Sequence, residues 1–241
     1  INTDITVTDF TNISDAADNM SNSVVISAAN TDTNLTAAGL VTGTYKAYAV
    51  DDDGNLSDPS LDNVSIGELV DIDGNVYSTV IIGNQHWMAE NLKVTKYRNG
   101  DNITHIDNSS WSTDTDGAYG YYDNDTDNID TYGMLYNWYA VDNSSGLCPQ
   151  GWHVPTATEF STLSTYTRNQ LIESGSSGFN AVLAGLRDFS NGTYSNLGSY
   201  AFFWTSTIPS SYATYRYISS SSFSSGNTIK TYGFSVRCLE D

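Results

Sequence analysis

Within DIDGNVYSTVIIGNQHWMAENL, residues 71–92, Val76, Ser78, Val80 and Ile82 alternate with Tyr77, Thr79 and Ile81. This period of two predicts a strand, and Gly83-Asn84 predicts a turn into Gln85–Glu90. Upstream, Ile5–Phe10, Ser23–Ala28, Gly43–Asp51 and Leu61–Ile66 read as short strands. In the third, Tyr45, Ala47 and Ala49 alternate with Thr44, Lys46 and Tyr48 ahead of Asp53-Gly54-Asn55, residues that suit a turn. Asp71-Ile72-Asp73-Gly74-Asn75 has the same turn chemistry. Pro59 and Gly67 bracket the exit from this β-rich start. The boundary is expected near Gly67, between a module of residues 1–67 and a domain of residues 68–241.

Two helices are predicted further on. Tyr132–Val141 (YGMLYNWYAV) is apolar and short, and Thr156–Arg168 follows Pro155 and opens with the Thr-x-x-Glu spacing of a capping box. Phe160, Leu163 and Tyr166 then share one helical face, as core-facing residues do. Strand patterns return at Ala184–Phe189, Ala201–Ile208, Tyr212–Ser219 and Thr231–Leu239, with Asn191-Gly192 as a turn. Strands, two helices and strands again predict an α+β domain with a mainly antiparallel sheet.

Composition narrows the function classes. The 241 residues are 39% hydrophobic and 12% aromatic, which indicates a globular chain. There are 28 acidic and 9 basic residues, a formal net charge of −19, and most of the acids are Asp. Such a surface repels phosphate backbones and anionic lipid heads, so nucleic acid is excluded as a partner. No run approaches the ~18 apolar residues of a spanning helix, so no integral membrane segment is expected. The chain opens at Ile1 in a polar, strand-like stretch, unlike the long apolar helix of a type IV pilin. An exported protein of this kind would have its signal peptide already removed.

Cys148 and Cys238 can be buried thiols, a disulfide, or part of a metal or redox site. There is no CxxC, and His86, His105 and His153 lack ligand spacing, so the metal and redox readings are weak. An even count in a chain read as exported favours the disulfide. There is no GxSxG elbow, phosphate-cradling glycine loop or HExxH, and no catalytic residue is assigned. His153 within GWHVP is read as a hydrogen-bonding structural residue. Asp123, Asp125 and Asp127 alternate in YYDNDTDNID, with Asp130 beyond, and oxygen ligands at this density can hold calcium. An EF-hand alignment would put Asn128 at position six and Met134 at position twelve, so this is no EF-hand; a solvated turn is the competing reading. Trp204, Tyr212, Tyr215, Arg216, Tyr217 and Phe223 lie among Ser and Thr, a composition suited to recognition, although alternate aromatics there can equally face the core. Ten Asn-x-Ser/Thr triplets, among them Asn34, Asn102 and Asn191, matter only where the source glycosylates them.

The motifs DIDGNVYSTVIIGNQHWMAENL, YGMLYNWYAV, LCPQGWHVPTATEF, AFFWTST and GFSVRC, in that order, resemble the Fibrobacter succinogenes major paralogous domain over residues 69–241. The resemblance implies a fold similar to C-type lectins and to the formylglycine-generating enzymes, in exported or surface proteins often joined to adhesion repeats. Both cysteines sit in these motifs, which strengthens the disulfide reading. Upstream, GTYKAYAVDDDGNLSDPS resembles the last hairpin of an immunoglobulin-like or cadherin-like bacterial surface repeat. No proline has the Glu-Pro-Asn-like or Gln-Pro-Asp-like context of a calcium-dependent lectin. The cysteines, 90 positions apart, do not form the close pair of a formylglycine-type oxidase.

The expected protein is therefore extracellular or at the cell surface and non-catalytic, a binding or adhesion module whose lectin-like head takes a glycan or a surface-protein ligand. The alternative is a homo-oligomeric, filament-forming structural subunit. In that case Ile5, Val7 and Phe10, on a strand near the N-terminal end of the sequence, would be donated to a sheet edge of another copy.

Overall fold

The computed structural model describes residues 69–107 and 109–241. Before them it describes the backbone of four strands: β1 (Ile5–Thr6), β2 (Val25–Ile26), β3 (Gly43–Tyr45) and β4 (Val64–Ile66). The chain divides into two compact units, Ile1–Glu68 and Leu69–Asp241. In the first, β1 pairs antiparallel with β2, Ile5 opposite Ile26, and β3 pairs with β4. Ile5 is thus paired within its own chain. Val7 and Phe10 of the expected donor strand, the Asp53-Gly54-Asn55 turn and Asn34 lie outside the described residues.

The second unit begins with β5 (Leu69–Val70), β6 (Val76–Tyr77), β7 (Thr79–Ile82) and β8 (Gln85–Met88). Then come β9 (Thr104–His105), β10 (Ala118–Gly120), β11 (Leu135–Tyr136) and β12 (Trp152–His153). The last strands are β13 (Ala184–Arg187), β14 (Tyr194–Leu197), β15 (Ala201–Trp204), β16 (Ala213–Ile218), β17 (Phe223–Thr228) and β18 (Leu239–Glu240). They form sheets ordered β12-β18-β8-β7, β11-β10-β9 and β14-β13-β15-β16-β17, besides the β5–β6 hairpin. Pairing is mostly antiparallel and the helices are few and short, as an α+β domain requires. Among the described residues no helix is long and apolar enough to cross a membrane.

Both predicted helices are broken, for local reasons. The first becomes α1 (Ile129–Tyr132), strand β11 and α2 (Trp138–Val141). Gly133 ends α1 at φ 71°, and a Cβ there would stand 2.6 Å from that of Asn91. The glycine lets the chain approach Leu92, whose carbonyl accepts from Met134 N at 3.0 Å. Asn137 then starts α2, its Oδ1 accepting from Ala140 N at 3.1 Å and from Ala118 N at 3.0 Å. In the second predicted helix the capping pair does form: Thr156 N donates to Glu159 Oε2 at 2.7 Å, and Glu159 N to Thr156 Oγ1 at 3.2 Å. Beyond the cap the chain runs as a 3₁₀ stretch, Glu159–Thr165, and after an extended Tyr166 a new helix starts, α3 (Arg168–Leu171). Hydroxyls compete for the carbonyls here, Ser161 Oγ bonding to Ala157 O and Thr165 Oγ1 to Thr162 O, which weakens an α-helix. Phe160 and Leu163 are still fully buried.

One segment, Gly233–Leu239, ties these sheets together. Gly233 bridges Arg187, Phe234 bridges Tyr136, and Ser235 bridges Phe203. Val236 O accepts from Leu92 N, Cys238 O accepts from Met88 N, and Leu239 pairs with Trp87. Arg237 is fully buried within it. Its Nε donates to Asn91 Oδ1 at 2.9 Å and its Nη2 to Asn180 O at 2.8 Å. Nη1 donates to Phe179 O, and the guanidinium lies 4.5 Å from the Phe179 ring centroid. Burial holds its pKa down at about 9, so it is still charged at neutral pH. The neighbouring Cys238 is bonded to Cys148.

The two apolar clusters lie on opposite faces of β15. Phe202 and Trp204 point into one, with Tyr136, Trp138, Phe234 and the disulfide; Ala201 and Phe203 point into the other, with Trp87, Phe160 and Phe179. Alternation on one strand thus feeds two cores, and all four residues are buried.

Reduction and alkylation should lower stability by about 4–5 kcal/mol, the chain-entropy value for a loop of this length. Urea unfolding with and without reductant measures it, and intact mass should show no alkylated thiol before reduction. Arg237→Met should lower stability by about 3–5 kcal/mol, because the carbonyls it serves lose their donors inside the protein. Arg237→Lys should recover little of that loss, since an ammonium cannot span the same fork. Urea midpoints of the two variants measure both effects.

Candidate functional site

The five-stranded sheet presents an aromatic face. In the β15–β16 pair Phe202 stands opposite Tyr217 and Trp204 opposite Tyr215; in β16–β17, Tyr215 stands opposite Gly226 and Tyr217 opposite Ser224. Residues opposed in a ladder share a face, so Phe202, Trp204, Tyr215 and Tyr217 lie on one side and Phe203, Arg216 and Phe223 on the other. A Cβ on Gly226 would stand 2.7 Å from the Tyr215 ring. Glycine there leaves room for that ring across β17.

Phe234 is the hub of the face. Its ring centroid lies 4.4 Å from Trp204, 5.1 Å from Phe202, 5.1 Å from Tyr215 and 5.3 Å from Tyr232. The contacts continue from Tyr232 to Phe189 at 4.9 Å and from Phe202 to Tyr200 at 5.6 Å. Phe234 and Trp204 are buried, while Tyr200, Tyr215, Tyr217 and Tyr232 are half-buried and keep part of their rings in solvent. Partial burial raises the phenol pKa of Tyr215 and of Tyr232, helped by Tyr217 in the first case and Asp188 in the second. Both phenols are neutral at physiological pH.

The structure separates the residues expected to act together. Tyr215 and Tyr217 are on the aromatic face. Trp204 is wholly inside, its indole N–H donating to Tyr136 O at 2.7 Å, so it belongs to the core. Arg216 is on the opposite side, donating to Ala157 O and, at 3.0 Å, to Ser161 Oγ. Phe223 lies half-buried beneath that guanidinium at 5.8 Å, packed on the second cluster. Tyr212 is 49% exposed in the turn before β16. Tyr200, Phe202, Tyr232 and Phe234 complete the face. Their signal was the spacing of two in Tyr200-x-Phe202 and Tyr232-x-Phe234, the same period as Tyr215-x-Tyr217.

The acidic run does not gather into a cation cage. Asp123, Asp125, Asp127 and Asp130 are all exposed. Asp125 Oδ1 accepts from Asp127 N at 3.1 Å, and Asp130 Oδ1 from Lys93 Nζ at 3.3 Å. Among the described residues no three His, Cys, Asp or Glu side chains converge as metal ligands. Two short 3₁₀ turns, Tyr122–Asn124 and Thr126–Asn128, use the acids as turn and capping residues. His153 bonds to Asp241 at 2.8 Å and to Glu159 at 3.2 Å, joining the C-terminal strand to the capping pair. A polar cleft of about 560 Å³ above Arg237 is lined by Glu90, Asn91, Lys93, Asp130, Glu173 and Asn180, among others. Its charges are largely engaged within the protein, Lys93 with Asp130 and Glu90 with Ser78 N.

Burial predicts how unequal these aromatics are. Trp204→Ala should cost about 3–5 kcal/mol of stability, and Tyr217→Ala about 1–2 kcal/mol, because part of the tyrosine is already in water. Unfolding of the two variants in urea measures the difference.

A family model described as the Fibrobacter succinogenes major domain matches residues 80–176. No curated protein and no solved structure matches the chain. The matched span takes in YGMLYNWYAV and LCPQGWHVPTATEF and ends before AFFWTST and GFSVRC, the strands that build the aromatic face. The matched residues lie within the second compact unit.

Proposed function

We propose that this chain is a non-catalytic binding module of an extracellular or cell-surface protein, a C-type-lectin-like head preceded by an immunoglobulin-like segment. The observation that carries the reading is the row of half-buried tyrosines on the five-stranded sheet, which keep part of their rings in solvent. Tyrosine offers a large, amphipathic contact surface at little conformational cost, and these rings are already held by the core beneath them. A disulfide across 90 residues suits an oxidising compartment. Because it uses both cysteines, no thiol is left for formylglycine-type oxidation.

The full chain and a Tyr215→Ala/Tyr217→Ala variant, probed on an array of glycans and bacterial surface proteins, test this. The double variant should lose about tenfold or more of the binding to whatever ligand the parent chain holds. Equal binding by both proteins, or no ligand for the parent chain, overturns the reading.

A further inference from the structure

We infer that the aromatic face holds a neutral polysaccharide, its sugar rings stacked on the tyrosines without calcium in the contact; this rests on the binding-module reading. Two kinds of polymer stack along rows of aromatic rings: single-stranded nucleic acids and glycans. The first requires a cationic groove that follows the phosphates. Here the basic residues number 9 against 28 acidic ones. All five arginines give hydrogen bonds to main-chain carbonyls: Arg98 to Cys148, Arg168 to Ser219, Arg187 to Gly192, Arg216 to Ala157 and Arg237 to Asn180. Lys93 and Lys96 pair with Asp130 and Asp73, and Lys230 lies 4.4 Å from the Trp138 ring. The remaining basic residue, Lys46, lies outside the described residues. A phosphate- or sulfate-bearing polymer would meet net repulsion with little cationic surface to offset it.

A neutral sugar chain meets no such penalty. The C–H faces of a pyranose pack on the negative face of an aromatic ring, and phenol hydroxyls exchange hydrogen bonds with sugar hydroxyls at the ring edge. The composition of the surface also favours this partner over a protein. The half-buried residues of this face that pack on the main core, Tyr200, Tyr215, Tyr217 and Tyr232, are all tyrosines. The contacts run Phe189–Tyr232–Phe234–Phe202–Tyr200 in steps of 4.9, 5.3, 5.1 and 5.6 Å, with Tyr215 and Tyr217 beside them. The rings that keep part of their area in solvent, Phe189, Tyr200, Tyr215, Tyr217 and Tyr232, surround the buried Phe202 and Phe234 and can meet more than one sugar ring, so chain length should strengthen binding. Ser224 stands opposite Tyr217, with Thr228 further along β17, and their hydroxyls can reach sugar hydroxyls at the border of the face.

Calorimetry of the full chain with cellohexaose, xylohexaose, mannohexaose and chitohexaose, and with heparin and polygalacturonate as anionic probes, tests this. At least one neutral hexaose should bind, about tenfold or more tighter than its monosaccharide, while the anionic polymers do not. EDTA should leave that binding unchanged. Tyr215→Ala/Tyr217→Ala should weaken it about tenfold or more, and Tyr215→Phe/Tyr217→Phe, which keeps the rings, should stay within about threefold of the parent chain. If the alanine pair does not fold, Tyr232→Ala alone carries the same expectation. Absence of binding to every neutral hexaose, loss of binding in EDTA, or binding that survives removal of the rings overturns the inference. A protein ligand on the array that depends on these tyrosines, with no hexaose bound, would leave the binding-module reading standing and remove this one.

Discussion

The second unit depends on how Gly233–Leu239 satisfies its backbone. Strands here are two to six residues long, so much of the main chain lies in loops whose buried carbonyls need donors. This segment meets that need in two ways. Its own amides and carbonyls bond in turn to the neighbourhoods of Arg187, Tyr136, Phe202, Leu92 and Met88. Its side chains then fix what the ladder cannot reach: Arg237 serves the carbonyls of Phe179 and Asn180, and Cys238 closes on Cys148. Gly233 at its start is obliged to be small, because a Cβ would stand 2.7 Å from that of Arg187 and 2.8 Å from the Trp111 ring.

Arginine is used throughout as a main-chain ligand. Arg187 donates to Gly192 O and Ile106 O between the rings of Trp111 and Tyr194, and Arg98 bonds to the carbonyls on either side of the Cys148–Trp152 turn. A guanidinium keeps its charge when buried and offers several donors in a fixed plane, so one side chain can replace a missing stretch of sheet. The same use takes cations away from the surface. A chain with so few basic residues becomes, toward a partner, more acidic than its composition states.

The aromatic face inherits its rigidity from that segment. Phe234 is both a ladder residue and the ring on which Phe202, Trp204, Tyr215 and Tyr232 converge. The tyrosines therefore rest on side chains that are themselves buried, and little freedom is left to lose on contact with a ligand. Substitutions at the rim of such a face leave the core intact, and substitutions beneath it, as at Trp204, cost the fold.

Local physics was legible in the sequence. The alternation in β16, the turn at Gly83-Asn84, the reciprocal bonds of Thr156 and Glu159, and the burial of Phe160 and Leu163 arise from interactions a few residues apart. So did the α+β class, while the pairing of the cysteines came from an even count and the motifs that hold them. The sequence could not show that Tyr132–Val141 breaks into helix, strand and helix, because the break answers to Leu92 and Phe234, the latter about a hundred positions away. Nor could it separate Trp204 from Tyr217, or Arg216 from Tyr215. Alternation states that neighbours face opposite sides; which side meets water is decided by the register of β15 against β16 and by what packs on each face. The sequence by itself determined the pieces and their polarity. Only the tertiary structure decided which tyrosines stand together, because that depends on pairings between segments far apart in the chain.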